Sequence, residues 1–298
     1  MGTRLFSYAA FPLTMAGAVV WAMARIDAGV EPALAILPPL LLANVLVAVC
    51  EWIVPLHRSW LRSRGDVRVD AGLALTVAVL SGILGRVLLP LGAATAASAG
   101  GGIGLSIWPG GLPILPQLVL ALVVAELPKY WLHRLEHEWE PLWRIHATHH
   151  SAERLYWLNA GRFHPIDIGL DYVLGIGTLV LLGCGDAVIA LFLLVSGVHG
   201  VFQHANLPLR CGPLNWFFSM AELHRWHHVP DTARANHNYG QNLIVWDVVF
   251  GTRYLPAREL PTEAIGIEDW PDFPKGFWAN LAAPFRWARI RREAGASA

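Results

Sequence analysis

Charge is scarce in this chain. Of its 298 residues only 15% are Asp, Glu, Lys or Arg, against about 25% in a soluble globular protein. The 22 basic and 22 acidic residues cancel, so no charge excess points to nucleic acid. Cysteine is nearly absent. Cys50, Cys184 and Cys211 form no CxxC pair, which argues against a disulfide framework and fits burial or a reducing compartment. The chain has no GxSxG elbow, no GxxxxGK[ST] phosphate loop and no GxGxxG before a strand, so serine-hydrolase and nucleotide-binding readings fail. The HExxH zinc-protease motif is missing, because His137-Glu138 runs into Trp139-Glu140-Pro141. No CxxCH haem-attachment motif occurs either.

What is abundant is apolar sequence. The chain is 55% hydrophobic with a mean hydropathy of +0.44, and its apolar runs reach the roughly 20 residues that a bilayer requires. Spans are expected near residues 5–23, 32–55, 71–97 and 112–132. The first is read as a retained span rather than a signal peptide, since no clear cleavage site follows it. Arg86 in the third is expected to face the protein interior or to snorkel. A fifth apolar stretch, 168–203, is broken at 183–186 into halves of about 15 to 17 residues, short for separate spans and suited to a hairpin dipping into the membrane or to two short tilted spans. Arg58, Arg62, Arg64 and Arg68 follow the second span, and the Ala/Gly-rich loop 92–111 after the third has no basic residue. By the positive-inside rule this puts the N-terminus and everything after the fourth span on the cytoplasmic side. The expected architecture is an all-α, polytopic membrane helical bundle with a histidine-rich cytoplasmic cap. It forms one unit over 1–298: N-terminal spans to 111, a histidine region 112–255, and a cytoplasmic tail 256–298 whose aromatics sit at the interface and whose basic end, 286–292, meets anionic headgroups.

The chemistry resides in histidine. Eight of the 13 histidines fall in three clusters, His133/His137, His146/His149/His150 and His224/His227/His228, patterned HxxxH, HxxHH and HxxHH. Residues three and four apart share a helix face, while adjacent ones diverge by about 100°. An HxxHH cluster can therefore offer imidazoles to two neighbouring ions, which suggests a two-metal site. Buried imidazoles without partners cost desolvation, so packing alone does not explain three such clusters. Imidazole-rich ligation suits Fe, Zn, Cu or Ni. His57 stands apart and reads as an ordinary polar residue.

At these residues the chain resembles the fatty acid hydroxylase/sterol desaturase superfamily of membrane di-iron enzymes. The matching stretches are EWIVPLHRSW (51–60), KYWLHRLEHEWEPLWRIHATHHS (129–151), GRFHP (161–165), FQHAN (202–206), ELHRWHH (222–228) and HNYGQNLIVWDVVFGT (237–252). The likeness covers roughly residues 50–255, and the short gap between the first two clusters is part of it. It implies that the eight clustered histidines, with His204, hold two non-haem iron ions. It makes His164, His237 and His199 candidates for further ligands or supports, and Glu126 the acidic residue ahead of the first box. Glu222, Asp231 and Asp247 become candidates to hold ligand N–H groups. The implied activity is O2-dependent hydroxylation or desaturation of an unactivated C–H bond in a sterol or fatty-acyl lipid. Electrons would come from a separate reductase with a cytochrome- or ferredoxin-type carrier. The lipid would arrive from the bilayer through a channel between the third and fourth spans and the 168–203 hairpin, with Trp131, Trp143, Tyr156, Trp157, Trp216 and Phe217 as candidate wall residues. Two other readings stay open: a non-redox, zinc-dependent membrane hydrolase, zinc substituting for iron at the same imidazoles, and a non-enzymatic membrane protein that binds metal or haem.

Overall fold

The computed structural model describes residues 2–97, 107–257, 263–267, 270 and 273–293. Residues 98–106 of the expected Ala/Gly loop, and parts of the 256–298 tail, lie outside them. Among the described residues the chain is helical, with one isolated antiparallel bridge, Phe218 to Leu243. The long helices are α1 (Gly2–Asp27), α2 (Pro32–Ile53), α3 (Val67–Ala97), α4 (Ile114–Glu138), α6 (Pro165–Leu182) and α7 (Asp186–His204), with α5 (Glu140–His150) lying between α4 and α6. Shorter helices follow: α8 (Ala221–His227), α9 (Thr232–Ala235), α10 (Val245–Phe250), α11 (Phe277–Ala282) and α12 (Trp287–Glu293).

Local chemistry sets the helix ends. Glu31 caps α2, its carboxylate accepting from the Ala33 and Leu34 N–H groups at 3.1 and 2.9 Å, with Pro32 at the first helical position, where its missing N–H costs nothing. His164 caps α6 ahead of Pro165. Gly183 stops α6 in the left-handed region at φ 84°, where glycine meets no Cβ penalty.

Among the described residues six helices are long and apolar enough to cross a membrane, as befits an integral membrane protein. The stretch 168–203, expected as a dipping hairpin or as two short tilted spans, is two helices of 18 and 19 residues, α6 and α7, each long and apolar enough to cross a membrane. Leucines such as Leu13, Leu41, Leu42 and Leu75, all more than 60% exposed, form an outer belt of the kind that contacts lipid tails. Burial ranks the helices: 72% of the best α7 window is inside the protein and only 6% of that of α3. Helix α7 is the bundle's centre, packed on α1, α2 and α4, while α3 leans on α6 at the periphery. Arg86 is exposed on α3 and does not face the interior.

The two ends of the bundle differ. At one, the Trp108 N–H donates to the Leu182 carbonyl at 2.9 Å. At the other, polar ties fasten a cap. The Glu51 carboxylate accepts from the Trp157 and Asn206 N–H groups at 2.8 and 2.9 Å. Arg154 joins Asp66, at 2.5 and 3.1 Å, and the Trp60 carbonyl. The tail is anchored more deeply than expected: Trp270, Phe273 and Trp287 are buried in a small core with Ala147, against Trp143. Trp278 and Phe285 alone among the tail's described aromatics are mostly exposed.

Candidate metal centre

Helix α4 runs past the apolar core to Glu138, carrying His133 and His137 on one face. Helix α5 turns back beside it with His146, His149 and His150; α7 ends on His204; and α8 carries His224 and His227, with His228 at its C-cap. The nine imidazoles meet in two groups. One ring nitrogen from each of His133, His137, His146, His150 and His227 lies within 4.8 Å of the others, and His149, His204, His224 and His228 form a second set by the same measure. Each HxxHH cluster is divided between them. His150 and His227 face the first group, while their neighbours His149 and His228 face the second, as the angular divergence of adjacent helical residues requires.

The protonation of these rings is set from behind. His133 Nδ1 donates to the Tyr239 carbonyl at 2.6 Å, His227 Nδ1 to the His237 carbonyl at 2.8 Å, and His149 Nδ1 to the Arg162 carbonyl at 3.2 Å. His204 Nδ1 donates to Asn159 Oδ1 at 2.9 Å and His137 Nδ1 to Asn236 Oδ1 at 3.2 Å. His146 Nδ1 faces Asp167 at 2.9 Å and Glu136 at 3.5 Å. A neutral imidazole that donates from Nδ1 carries a bare lone pair on Nε2. Yet His133 Nε2 lies 3.0 Å from His227 Nε2 and 3.1 Å from His146 Nε2. In the second group His224 Nε2 lies 2.9 Å from His204 Nε2 and 3.0 Å from His228 Nε2. The Nε2 atoms of His137 and His150 are buried with no hydrogen-bond partner among the described residues. Converging lone pairs repel unless a cation lies between them, so the donor set fits metal. Burial, and then mutual repulsion, hold His146, His149, His150, His224, His227 and His228 well below the ordinary histidine pKa. The rings are therefore neutral and ligand-competent at pH 7.

The remaining candidates lie outside both groups. His164 accepts from the Ile166 N–H at 3.1 Å and donates to the Leu281 carbonyl at 3.2 Å, capping α6. His199 is wholly buried, edge-on to Phe11 at 5.4 Å. His237 stacks on Tyr254 at 5.0 Å and contributes only its carbonyl. His57 is half-buried beside Trp60. Glu222 accepts from the Cys211 N–H and the Asn215 amide at 2.6 and 2.8 Å and touches no ligand ring. Asp231 is exposed and caps α9. Asp247 acts one step back: it accepts from the Tyr239 and Gly240 N–H groups at 2.8 and 2.7 Å and from the Thr252 hydroxyl at 2.7 Å. It thus holds the loop whose carbonyls orient His133 and His227. Glu126 does the same for the next residues, accepting from the Gln241 and Asn242 N–H groups at 3.2 and 3.0 Å.

Asp167, Glu136, Asn159 and Asn236 were not among the sequence candidates. Asp167 had a readable signal, three residues beyond His164 in GRFHPID, and Glu136 lies inside the first box. The asparagines had none. Of the proposed wall residues, Trp131, Trp216 and Phe217 are 40%, 56% and 60% exposed on the outside, and Arg253 covers Trp216 at 3.9 Å. Tyr156 donates to Asp70 at 2.8 Å under the Arg154 guanidinium. Trp143 stands beside His137 and His150. Trp157 lines a cavity among α2, α3 and α7, not the space between α3, α4 and the 168–203 helices.

Comparison with known proteins places these features. The sequence model described as fatty acid hydroxylase matches residues 118–252, a span that contains all nine imidazoles. The chain is 38% identical to ornithine lipid hydroxylase OlsE of Rhizobium tropici over 80% of its own length and 72% of that protein. It is 30% identical to alkylglycerol monooxygenase of Homo sapiens over 41% of its length, covering 27% of that larger protein. It is also 30% identical to Delta(7)-sterol-C5(6)-desaturase of Nicotiana tabacum over 50% of its length and 54% of the desaturase. No solved structure matches the chain significantly.

Proposed function

Because this chain belongs to the fatty acid hydroxylase family, whose members it matches among lipid hydroxylases, monooxygenases and desaturases, we propose that it is a non-haem di-iron oxygenase acting on an unactivated C–H bond of a membrane lipid. The observation that carries the proposal is the convergence of nine buried imidazole nitrogens into a five-membered and a four-membered group. Within the groups four Nε2 pairs approach to 2.9 to 3.1 Å, close enough for both nitrogens to ligate one ion, and imidazole-rich ligation suits iron as well as zinc. Among the described residues no carboxylate belongs to either group; Glu136 and Asp167 cluster with His146 alone, at its Nδ1, and none bridges the two groups, which disfavours a dinuclear hydrolase.

Two iron ions bound there would supply, with O2 and two external electrons, the oxidising power to cleave the C–H bond. The chain's own residues do the rest. The Tyr239, His237 and Arg162 carbonyls and the Asn159 and Asn236 amides hold His133, His227, His149, His204 and His137 in the Nδ1–H form, which leaves the Nε2 lone pair of each free for a metal. Asp167 and Glu136 place negative charge behind His146, offsetting part of the cationic charge of an all-imidazole site. Complete burial of His227 and His228 keeps bulk water from the reacting centre. Arg58, Arg62 and Arg64 between α2 and α3, with Arg68 in the first turn of α3, favour a cytoplasmic location for this end by the positive-inside rule, where a separate reductase and its cytochrome- or ferredoxin-type carrier can dock.

The substrate to offer first is ornithine lipid, after the relative matched along most of this chain. Purified, iron-loaded protein with a reductant and isotopically labelled O2 is expected to place one labelled oxygen atom in the lipid, the other leaving as water. Loss of two hydrogens without oxygen would mark a desaturase instead. No oxidised product from ornithine lipid, other acyl lipids or sterols, with iron bound and O2 present, would overturn the proposal.

A further inference from the structure

A lipid must bring a bond to this centre from the bilayer, and the helices leave one gap suited to that. Helix α2 packs on α7, and α3 packs on α6 and on the turn at 157–161. Between them lies a cavity of about 320 Å³ walled by Leu40, Ala74, Trp157, Gly197, Gly200 and Val201. The amide of Asn44, also on its wall, donates to the Leu40 carbonyl at 2.9 Å, so one of its two N–H donors is engaged within α2. Leu37 and Leu41 beside the α2 wall, and Leu75 beside the α3 wall, are 47%, 64% and 66% exposed, so the mouth opens onto the hydrocarbon belt. None of the four imidazoles of the second group lines the cavity, but its inner wall is one step from them. Asn159, in the turn that floors the cavity, holds His204, and Val201 lies one helical turn before His204 on the same face of α7. That group has one imidazole fewer than its neighbour. A larger cavity, about 490 Å³, lies on the cap, but Arg64, Glu153 and Lys275 put charge into its wall and make it unsuitable for a hydrocarbon tail.

We propose that the cavity between α2, α3 and α7 receives the hydrocarbon tail of a bilayer lipid and leads it to the four-histidine group. The role in catalysis rests on the oxygenase reading; occupation by a lipid tail does not. Glycine makes the space. At Gly197 a Cβ would meet Leu40 at 2.6 Å, whereas at Gly200 it would meet nothing within 4 Å. Gly200→Leu therefore fills the cavity without displacing backbone. Gly17→Leu, also unobstructed but on the exposed face of α1, is the control.

The test is photolabelling of the full chain in nanodiscs of phosphatidylcholine containing a phosphatidylcholine with a diazirine on one acyl chain. Peptides carrying residues 40–44, 157–161 and 197–201 should be labelled, along with the outer belt. Gly200→Leu should cut the cavity labelling about tenfold, equivalent to roughly 1.4 kcal/mol of lost affinity. It should leave labelling near Leu75 and Trp52 and the metal content unchanged, and Gly17→Leu should change none of these. Label confined to the outer belt, or cavity label insensitive to Gly200→Leu, would overturn the proposal. Cavity labelling that Gly200→Leu blocks, in a protein that oxidises no lipid, would uphold the cavity and sink the oxygenase reading. Lipid oxidation that Gly200→Leu leaves at the wild-type rate, with no cavity label, would do the reverse.

Discussion

His227→Ala is expected to remove about half of the bound metal and to lower lipid oxidation by at least about a hundredfold, because a direct ligand should matter more than a ligand's supporting group, whose loss costs roughly 10- to 100-fold. His227 is the link between elements in the five-nitrogen group. Its Nε2 lies 3.0 Å from that of His133 on α4, its Nδ1 donates to the His237 carbonyl, and its ring sits 4.8 Å from His150 on α5. Alanine removes the nitrogen and frees the loop. The bundle core around α7 is built from other residues, such as Leu191, Leu194 and Val198, so insertion and helical circular dichroism should be unchanged. Metal analysis beside an activity assay checks this. Full metal and full activity in the variant would show that His227 is not a ligand.

Asp247→Ala should weaken both the fold and the metal site, though the carboxylate touches no imidazole. Asp247 is fully buried and accepts three hydrogen bonds, two of them from the backbone of Tyr239 and Gly240. Removing it strands two buried N–H groups at about 1–3 kcal/mol each. The loop has little slack. Asn238 is held at φ 58°, and a Cβ at Gly240 would run into the Leu243 carbonyl oxygen. Once the loop moves, the carbonyls that orient His133 and His227 move with it, and metal affinity should fall about 10- to 100-fold. Asp247→Asn keeps one acceptor oxygen and should fall between the variant and the wild type. Thermal unfolding with chelator competition reads both effects. A normal unfolding temperature and unchanged metal retention in Asp247→Ala would show that the loop does not support the site.

The parts of this molecule that could be read in its sequence are those where one helix does the work. The i, i+3, i+4 spacing of His146, His149 and His150 is enough to foresee that the cluster divides between two sites, and the structure divides it. Whether 168–203 forms a dipping hairpin or two short spans was not legible, because Asp167 and Asp171 depress the hydropathy at the start of α6. Those acids turn inward, to His146 and to Lys129 at 3.3 Å, so the helix is longer than its apolar run. Contacts between distant segments were not legible. Nothing in the sequence tells that Asn159 reaches His204 or that Asn236 reaches His137. Glu222 and Asp231 lie close to histidines in sequence, yet both accept from backbone N–H groups away from the imidazoles. Tryptophans suffered the same ambiguity: Trp131 and Trp157 look alike in sequence, but one is partly covered by Arg134 on the outer surface and the other lines the cavity.

The most direct test of the central claim is the metal content of anaerobically purified, iron-loaded protein, with Mössbauer spectroscopy of the same sample. The account predicts two iron ions per chain, magnetically coupled and spectroscopically unequal, since one has five imidazoles around it and the other four. Zinc that iron does not displace, or a single iron per chain with no reaction toward O2, would contradict it.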